Sequence, residues 1–287
     1  MSSINLTGPK AANQINKLLM AFTEAHHTSR FPVDVAQLAV DCHEIFGWKD
    51  PIAEVRSANI PGFEGCLFPN DEKSKWLLLF NEQLGALGRV RFTQAHELGH
   101  YVLHRKTQDL FQCASAADMR NLSKDVQNIE HQADEFASFL LMPLDDFRKQ
   151  LTSDINLDLI AHCANRYGVS LTAAALKWLS QTTQKAVLIV SSDGFINWSW
   201  SSDTATKAGA FFKTRSATIE VPSGSLAADV SVQHERSGKN VRMSVWFPHA
   251  DPGLSLTEMK ISSERYGVFT LLLLPSIANV WPTSRFA

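Results

Sequence analysis

The sequence predicts an α+β fold in three parts. Residues 1–143 read as helices with a small mixed sheet, 144–183 as a helical segment resembling a helix-turn-helix, and 184–287 as a β-rich C-terminal domain. Three observations predict it. Long stretches before residue 181 carry apolar residues three and four apart, the period of a helix with one buried face. Runs near 52–57, 63–68 and 76–80 are strand length and sit between those stretches. After about residue 184 the pattern becomes strand-like runs broken by Gly, Ser, Asp and Pro, as expected of strands joined by turns.

Taken in order, residues 10–27 and 32–46 read as helices, with Pro32 in a first turn, where its missing N–H is not needed. The three short strands follow, with "PNDEK" as the turn before the third. Next comes "RFTQAHELGHYVLHR", Arg91 to Arg105. Phe92, Ala95, Leu98, Val102 and Leu103 spread apolar character around this helix, so it should be largely buried. Gly99 costs roughly 1 kcal/mol in a helix interior, so a reason for it is expected, and close approach of a substrate or a neighbouring strand is one candidate. A second motif helix, "EHQADEFASFLLMP" from Glu130 to Pro143, places Ala133, Phe136, Ala137, Leu140 and Leu141 at helical spacing and ends at the proline. Its small alanines permit close packing on the first. Between the two lies the long connection "KTQDLFQCASAADMRNLSKDVQN".

The segment "NLDLIAHCANRYGVSLTAAALKWLSQ" reads as helix, turn, and a second helix capped by Ser170. That second helix offers one cation, Lys177, and little to reach base edges, so direct DNA binding is not expected. Beyond it, "AVLIV", "FINWSW", "ATIEV", "VRMSVWF" and "YGVFTLLLL" read as strands. Ile196, Trp198 and Trp200 alternate with polar residues and give one strand a strongly apolar face. An antiparallel β-rich core explains this region; a sensor or substrate-docking module is the sharper reading.

Composition narrows the function classes. The chain is 45% hydrophobic and 20% charged with a formal charge of −2, which gives no general attraction to nucleic acid. No apolar run approaches the ~20 residues that span a bilayer, and the start lacks the apolar core of a secretory signal. A cytoplasmic protein with no membrane partner is expected. Cys42, Cys66, Cys113 and Cys163 form no C-x-x-C pair and read as reduced, mostly buried thiols, with Cys113 in the long connection.

The chemistry is carried by His96, Glu97 and His100, in the order H-E-x-x-H. Residues four apart share a helix face, so both imidazoles can converge on one cation. Glu97 is rotated by about 100° and can face a water on that cation without ligating it. A catalytic zinc wants a third protein ligand and an open position. Glu130 suits the third ligand, and Asp134, one turn on, suits an acceptor for the free ring N–H of a ligand histidine. His104 lies about 6 Å further along the helix axis and reads as a supporting residue or a substrate contact. Tyr101 and His131 are candidates for stabilising an oxyanion. Two imidazoles and a carboxylate suit several divalent ions.

These two motifs together resemble the ImmA/IrrE family of bacterial and phage-associated metallopeptidases and, more distantly, the gluzincin pattern of H-E-x-x-H with a later E-x-x-x-D. The likeness is strongest over 89–143; "FPVDVAQLAV" and "WLLLFNEQ" resemble the family's leading helix and the strand before its active helix. The sequence departs from the family at Asp134, where Asn is more usual, and in the long connection. The resemblance implies a zincin-like metallopeptidase domain. Zinc, with manganese as the alternative, would be held by His96, His100 and Glu130, with Glu97 as general base. It also implies a specific protein substrate, a helix-turn-helix transcriptional repressor encoded nearby, whose cleavage releases stress, mobile-element or toxin–antitoxin genes. The competing expectations are a regulator that binds metal without turnover, a DNA-binding protein, and a hydrolase of small amides.

Overall fold

The computed structural model describes residues 6–59, 62–108, 111–113 and 123–282. The fold is α+β, and the chain divides into two compact units, Met1–Gln150 with Cys163–Ser170 and Leu151–His162 with Leu171–Ala287. No described helix is long and apolar enough to cross a membrane.

The first unit begins with α1 (Gly8–His26) and α2 (Val35–Phe46). The side chain of Asp34 accepts from Gln37 N at 3.0 Å and starts α2. Gly47 ends it at φ +66°, a left-handed turn suited to glycine. Pro32 therefore lies ahead of the first turn rather than within it. Strands β1 (Ile52–Ser57), β2 (Gly65–Pro69) and β3 (Trp76–Phe80) follow, then α3 (Leu87–His104), β4 (Phe111–Cys113), α4 (Lys124–Leu141) and α5 (Leu144–Gln150). The sheet order is β1-β3-β2-β4, with β1 parallel to β3 and β2 antiparallel to both neighbours. Strand β4 comes from the long connection. Cys113 stands opposite Gly65 in the register, and its thiol lies outside the described residues, as does most of that connection.

Helix α4 starts earlier than its motif suggests, because Ser123 caps it by accepting from Val126 N. Glu130, Ala133, Phe136, Ala137, Leu140 and Leu141 are all buried on one stripe. That stripe packs on α3, which buries Ala95 through Val102 without interruption. Gly99 marks the closest approach. A Cβ there would lie 3.1 Å from Phe136 Cδ1 and 3.2 Å from Ala133 Cα and carbonyl oxygen. The close neighbour is thus a helix rather than the candidate strand or substrate. Asn16 fastens α1 to the same helix, its amide donating to Phe139 O and Leu140 O at 3.1 Å each.

Helix α6 (Leu157–Tyr167) spans the two units, and α7 (Leu171–Leu179) belongs to the second. Lys177 on α7 is buried, at 3% exposure. The remaining elements are β5 (Lys185–Ser192), β6 (Phe195–Ser201), α8 (Asp203–Lys207), β7 (His234–Arg242), α9 (Met243–Trp246), β8 (Ser255–Ser263) and β9 (Gly267–Leu274). They form an antiparallel sheet in the order β6-β5-β9-β8-β7. Residues 186–189 of β5 are buried on both faces.

Two expected strands are something else. "VRMSVWF" ends β7 and then turns into the one-turn helix α9, since a short apolar run has no period that separates strand from helix. "ATIEV" makes a single bridge, Glu220 to Phe195, at the end of β6. The apolar face of β6 is only partly covered: Ile196 is buried, but Trp200 is 55% exposed. Strand β8 escaped the reading because its inward face carries Glu258 and Lys260. Glu258 accepts from Ala227 N at 2.7 Å and Trp246 Nε1 at 2.8 Å, while Lys260 Nζ donates to Asp229 O at 2.7 Å. Burial raises the Glu258 carboxyl above its ordinary range and lowers the Lys260 ammonium.

The contact at Gly99 has a measurable consequence. Gly99→Leu should destabilise the protein by about 1–3 kcal/mol through overpacking against the Ala133 backbone, read as a lower denaturant midpoint. An unchanged midpoint would mean that α4 can retreat without cost.

Candidate metal centre

Helix α3 supplies His96 and His100 one turn apart, and α4 supplies Glu130. One ligand atom from each lies within 4.8 Å of the others, and all three residues are buried. His96 Nε2 is 3.0 Å from His100 Nε2 and 3.1 Å from Glu130 Oε2; His100 Nε2 is 3.4 Å from Glu130 Oε1. The opposite nitrogen of His96, Nδ1, donates to Asp134 Oδ1 at 2.8 Å. That bond places the ring proton on Nδ1 and leaves Nε2 with a lone pair directed at the carboxylate and the second imidazole. Converging lone pairs and carboxylate oxygens repel one another, and a cation among them removes the repulsion. The donor set therefore fits a divalent metal ion.

Burial sets the protonation states. It pushes the His100 pKa down to about 4, against the opposing pull of the adjacent Glu130. His104 is lowered for the same first reason. Glu130 is pulled both ways: burial favours the neutral acid, while the adjacent His100 and then His96 lower the carboxyl, which ends far below its usual range. At neutral pH the cluster thus presents a neutral His100 and an ionised Glu130, the forms that bind metal.

Glu97 is fully buried on the same helix. Strand β2 runs directly against it: a Cβ on Gly65 would stand 2.6 Å from Glu97 Oε1 and 2.6 Å from Thr93 Cγ2. A side chain at this position would have to displace the carboxylate or Thr93. The Cys66 thiol next along the strand is pushed up to about 11, by burial and then by the Glu97 charge. Cys42, Cys66 and Cys163 are free and buried.

The remaining sequence candidates fall in different places. Asp134 sits beside His96 with its side chain 48% exposed. His104 is buried and approaches His100 and Gln132. His131 is exposed on α4. Tyr101 is not brought into the cluster: its hydroxyl donates to Asp50 O at 2.9 Å and its ring meets Trp48 and Trp76 edge-on. Sequence reading missed the residue at the centre of that second group. Asp50 accepts from Arg105 Nε at 3.2 Å and Trp76 Nε1 at 3.3 Å, and the Arg105 guanidinium stacks 3.3 Å from the Trp48 ring. This clamp secures the end of α3 that follows the metal cluster. Only the "WKD" spacing before β1 hinted at it.

Comparison with known proteins adds a likeness over part of the chain. Residues 50–179 match Peptidase_M78, described as the IrrE N-terminal-like domain. No curated protein matches the chain. Among solved structures, one described as a Mycobacterium tuberculosis transcriptional regulator is 17% identical, with 93% of this chain and 81% of that chain covered and a TM-score of 0.49.

The depressed His100 pKa predicts a pH dependence for the metal-free protein. Between its ordinary value of 6.5 and about 4 the unfolded chain takes up a proton at His100 that the folded chain refuses. Stability in the presence of chelator should therefore fall as pH drops through that window. Below 4.5, protonation of Glu130 in the unfolded chain extends the loss in the same direction. Denaturant midpoints that stay flat from pH 7 to 4.5 would contradict this protonation pattern.

Proposed function

We infer, from the match of residues 50–179 to the Peptidase_M78 model of IrrE N-terminal-like domains, that this chain is a zinc-dependent endopeptidase acting on a specific protein. The observation that carries the reading is the convergence of His96, His100 and Glu130 with Glu97 buried on the same helix. When bound there, a divalent ion supplies Lewis-acid polarisation of the scissile carbonyl and draws the pKa of water down toward ~7. Zinc suits the two imidazoles and single carboxylate, and manganese is the alternative.

The protein's own residues carry the proton. Glu97 accepts it from the attacking water and delivers it to the leaving amine. Asp134 holds His96 in one tautomer. The sheet offers a docking edge for an extended peptide: among the described strands β4 is terminal and lies next to β2, whose Gly65 abuts Glu97. Backbone pairing of this kind does not depend on side-chain identity, so a peptide is the natural substrate class.

The substrate we propose is a helix-turn-helix transcriptional repressor encoded nearby, with stress, mobile-element or toxin–antitoxin genes as the outcome. The support for this step is the family resemblance of the two motifs. A cytoplasmic repressor requires a cytoplasmic protease. The rival in which α7 reads DNA is weakened further, because the one cation of that helix is buried.

Glu97→Gln should retain metal and lose about 10²–10⁴-fold or more in cleavage rate, the usual contribution of a general base. Glu130→Ala should lose the metal itself. Elemental analysis of the purified variants, with a cleavage assay on the product of the adjacent reading frame, checks both. A Glu97→Gln protein that still cleaves would sink the mechanism.

A further inference from the structure

We propose that His104 and Gln132 are positioning residues that determine which nitrogen His100 presents to the metal centre. His100 Nδ1 lies 3.2 Å from His104 Nδ1, and His104 Nε2 lies 3.3 Å from Gln132 Oε1. His100 is fully buried and His104 is 6% exposed, so a mismatched pair of nitrogens here would carry the full cost of a buried unsatisfied group.

The chemistry of the three groups leaves one self-consistent arrangement for a ligand. An amide oxygen only accepts, so His104 carries its proton on Nε2 and donates to Gln132. Neutral His104 then has a lone pair on Nδ1 and accepts there. His100 must therefore donate from Nδ1, and its lone pair falls on Nε2, the atom that faces Glu130 and His96. Reversing the amide reverses every bond: His104 would donate to His100, whose proton would move to Nε2 and block ligation. The polarity of one side chain on α4 is thereby transmitted to a ligand on α3. The same helix supplies Glu130, so α4 contributes both a ligand and the group that orients another.

His96 has a different device for the same task, the half-exposed Asp134 carboxylate. A carboxylate accepts in either orientation, whereas a relay ending in an amide depends on which way the amide points. This difference gives the test its discrimination. Gln132→Glu keeps an obligate acceptor and should bind Zn(II) as the wild type does. Gln132→Leu removes the acceptor and should weaken Zn(II) binding by about 10–100-fold, the usual effect of removing a group that orients a ligand.

His104→Phe, which fills similar space without ring nitrogens, should weaken binding to a similar degree. Because the two residues act in series, the double variant should be no worse than either single one. Affinity is read by competition with a chromophoric chelator. The tautomers are read by long-range ¹H–¹⁵N spectra of the metal-free protein, where His104 should show the Nε2–H form in wild type and Gln132→Glu but not in Gln132→Leu.

The inference rests on the metal-binding reading of His96, His100 and Glu130. Wild-type protein that binds no Zn(II) overturns that reading and the relay with it. Wild-type binding together with an unaltered affinity and His104 tautomer in Gln132→Leu overturns the relay alone, as do fully additive losses in the double variant.

Discussion

The distance between α3 and α4, set where Gly99 meets Ala133, is the constraint on which the metal centre depends. Two of the three ligand atoms hang from one helix and the third from the other, so their mutual spacing is fixed by the backbones rather than by side-chain reach. Coordination tolerates errors of only about 0.2 Å. Helix faces bearing larger residues would separate by more than that before any side chain adjusted. The pairing of a residue with no side chain against one with a single methyl removes that margin. Phe136, packed beside Gly99, completes the apolar wall on that side.

Within that narrow space the two imidazoles are held in unlike ways. His96 is tethered toward solvent through Asp134, while the contacts of His100 run inward along buried side chains. Burial keeps this inward imidazole neutral. On the other side of the helix the Asp50 clamp joins Arg105, Trp76 and Tyr101, so α3 is fixed at its end by one set of contacts and at its middle by another. A helix restrained at both places keeps its histidines aimed.

How legible this was in the sequence depends on how local each feature is. His96, His100 and Glu130 could be read because helical periodicity fixes which positions share a face, and Ala133 and Ala137 announced a close contact. Tyr101 sits next to His100 in the chain, yet a turn of about 100° carries it off the ligand face, and its hydroxyl donates to Asp50 O instead. Gly65 could not be found at all, since its role arises only when a strand far upstream passes Glu97. In the second unit, β8 hid behind Glu258 and Lys260, whose burial is tolerated only because backbone groups and an indole N–H satisfy them. Such partners come from turns that no local pattern marks. The one-turn α9 was mistaken for strand because apolar residues are needed there whichever way the backbone runs.

Helix α1 precedes the stretch that matches the peptidase family, yet it is built into the core of the first unit. Its first residue stands so near α4 that a Cβ on Gly8 would come within 2.8 Å of the Gln132 carbonyl oxygen, and Asn16 satisfies two carbonyls near the far end of the same helix. A recombinant fragment trimmed to residues 50–179 would strip that cover and leave Phe139 O and Leu140 O without their amide donor. The smallest piece that keeps α4 sheathed must begin ahead of Gly8, well outside the limits that homology alone would draw.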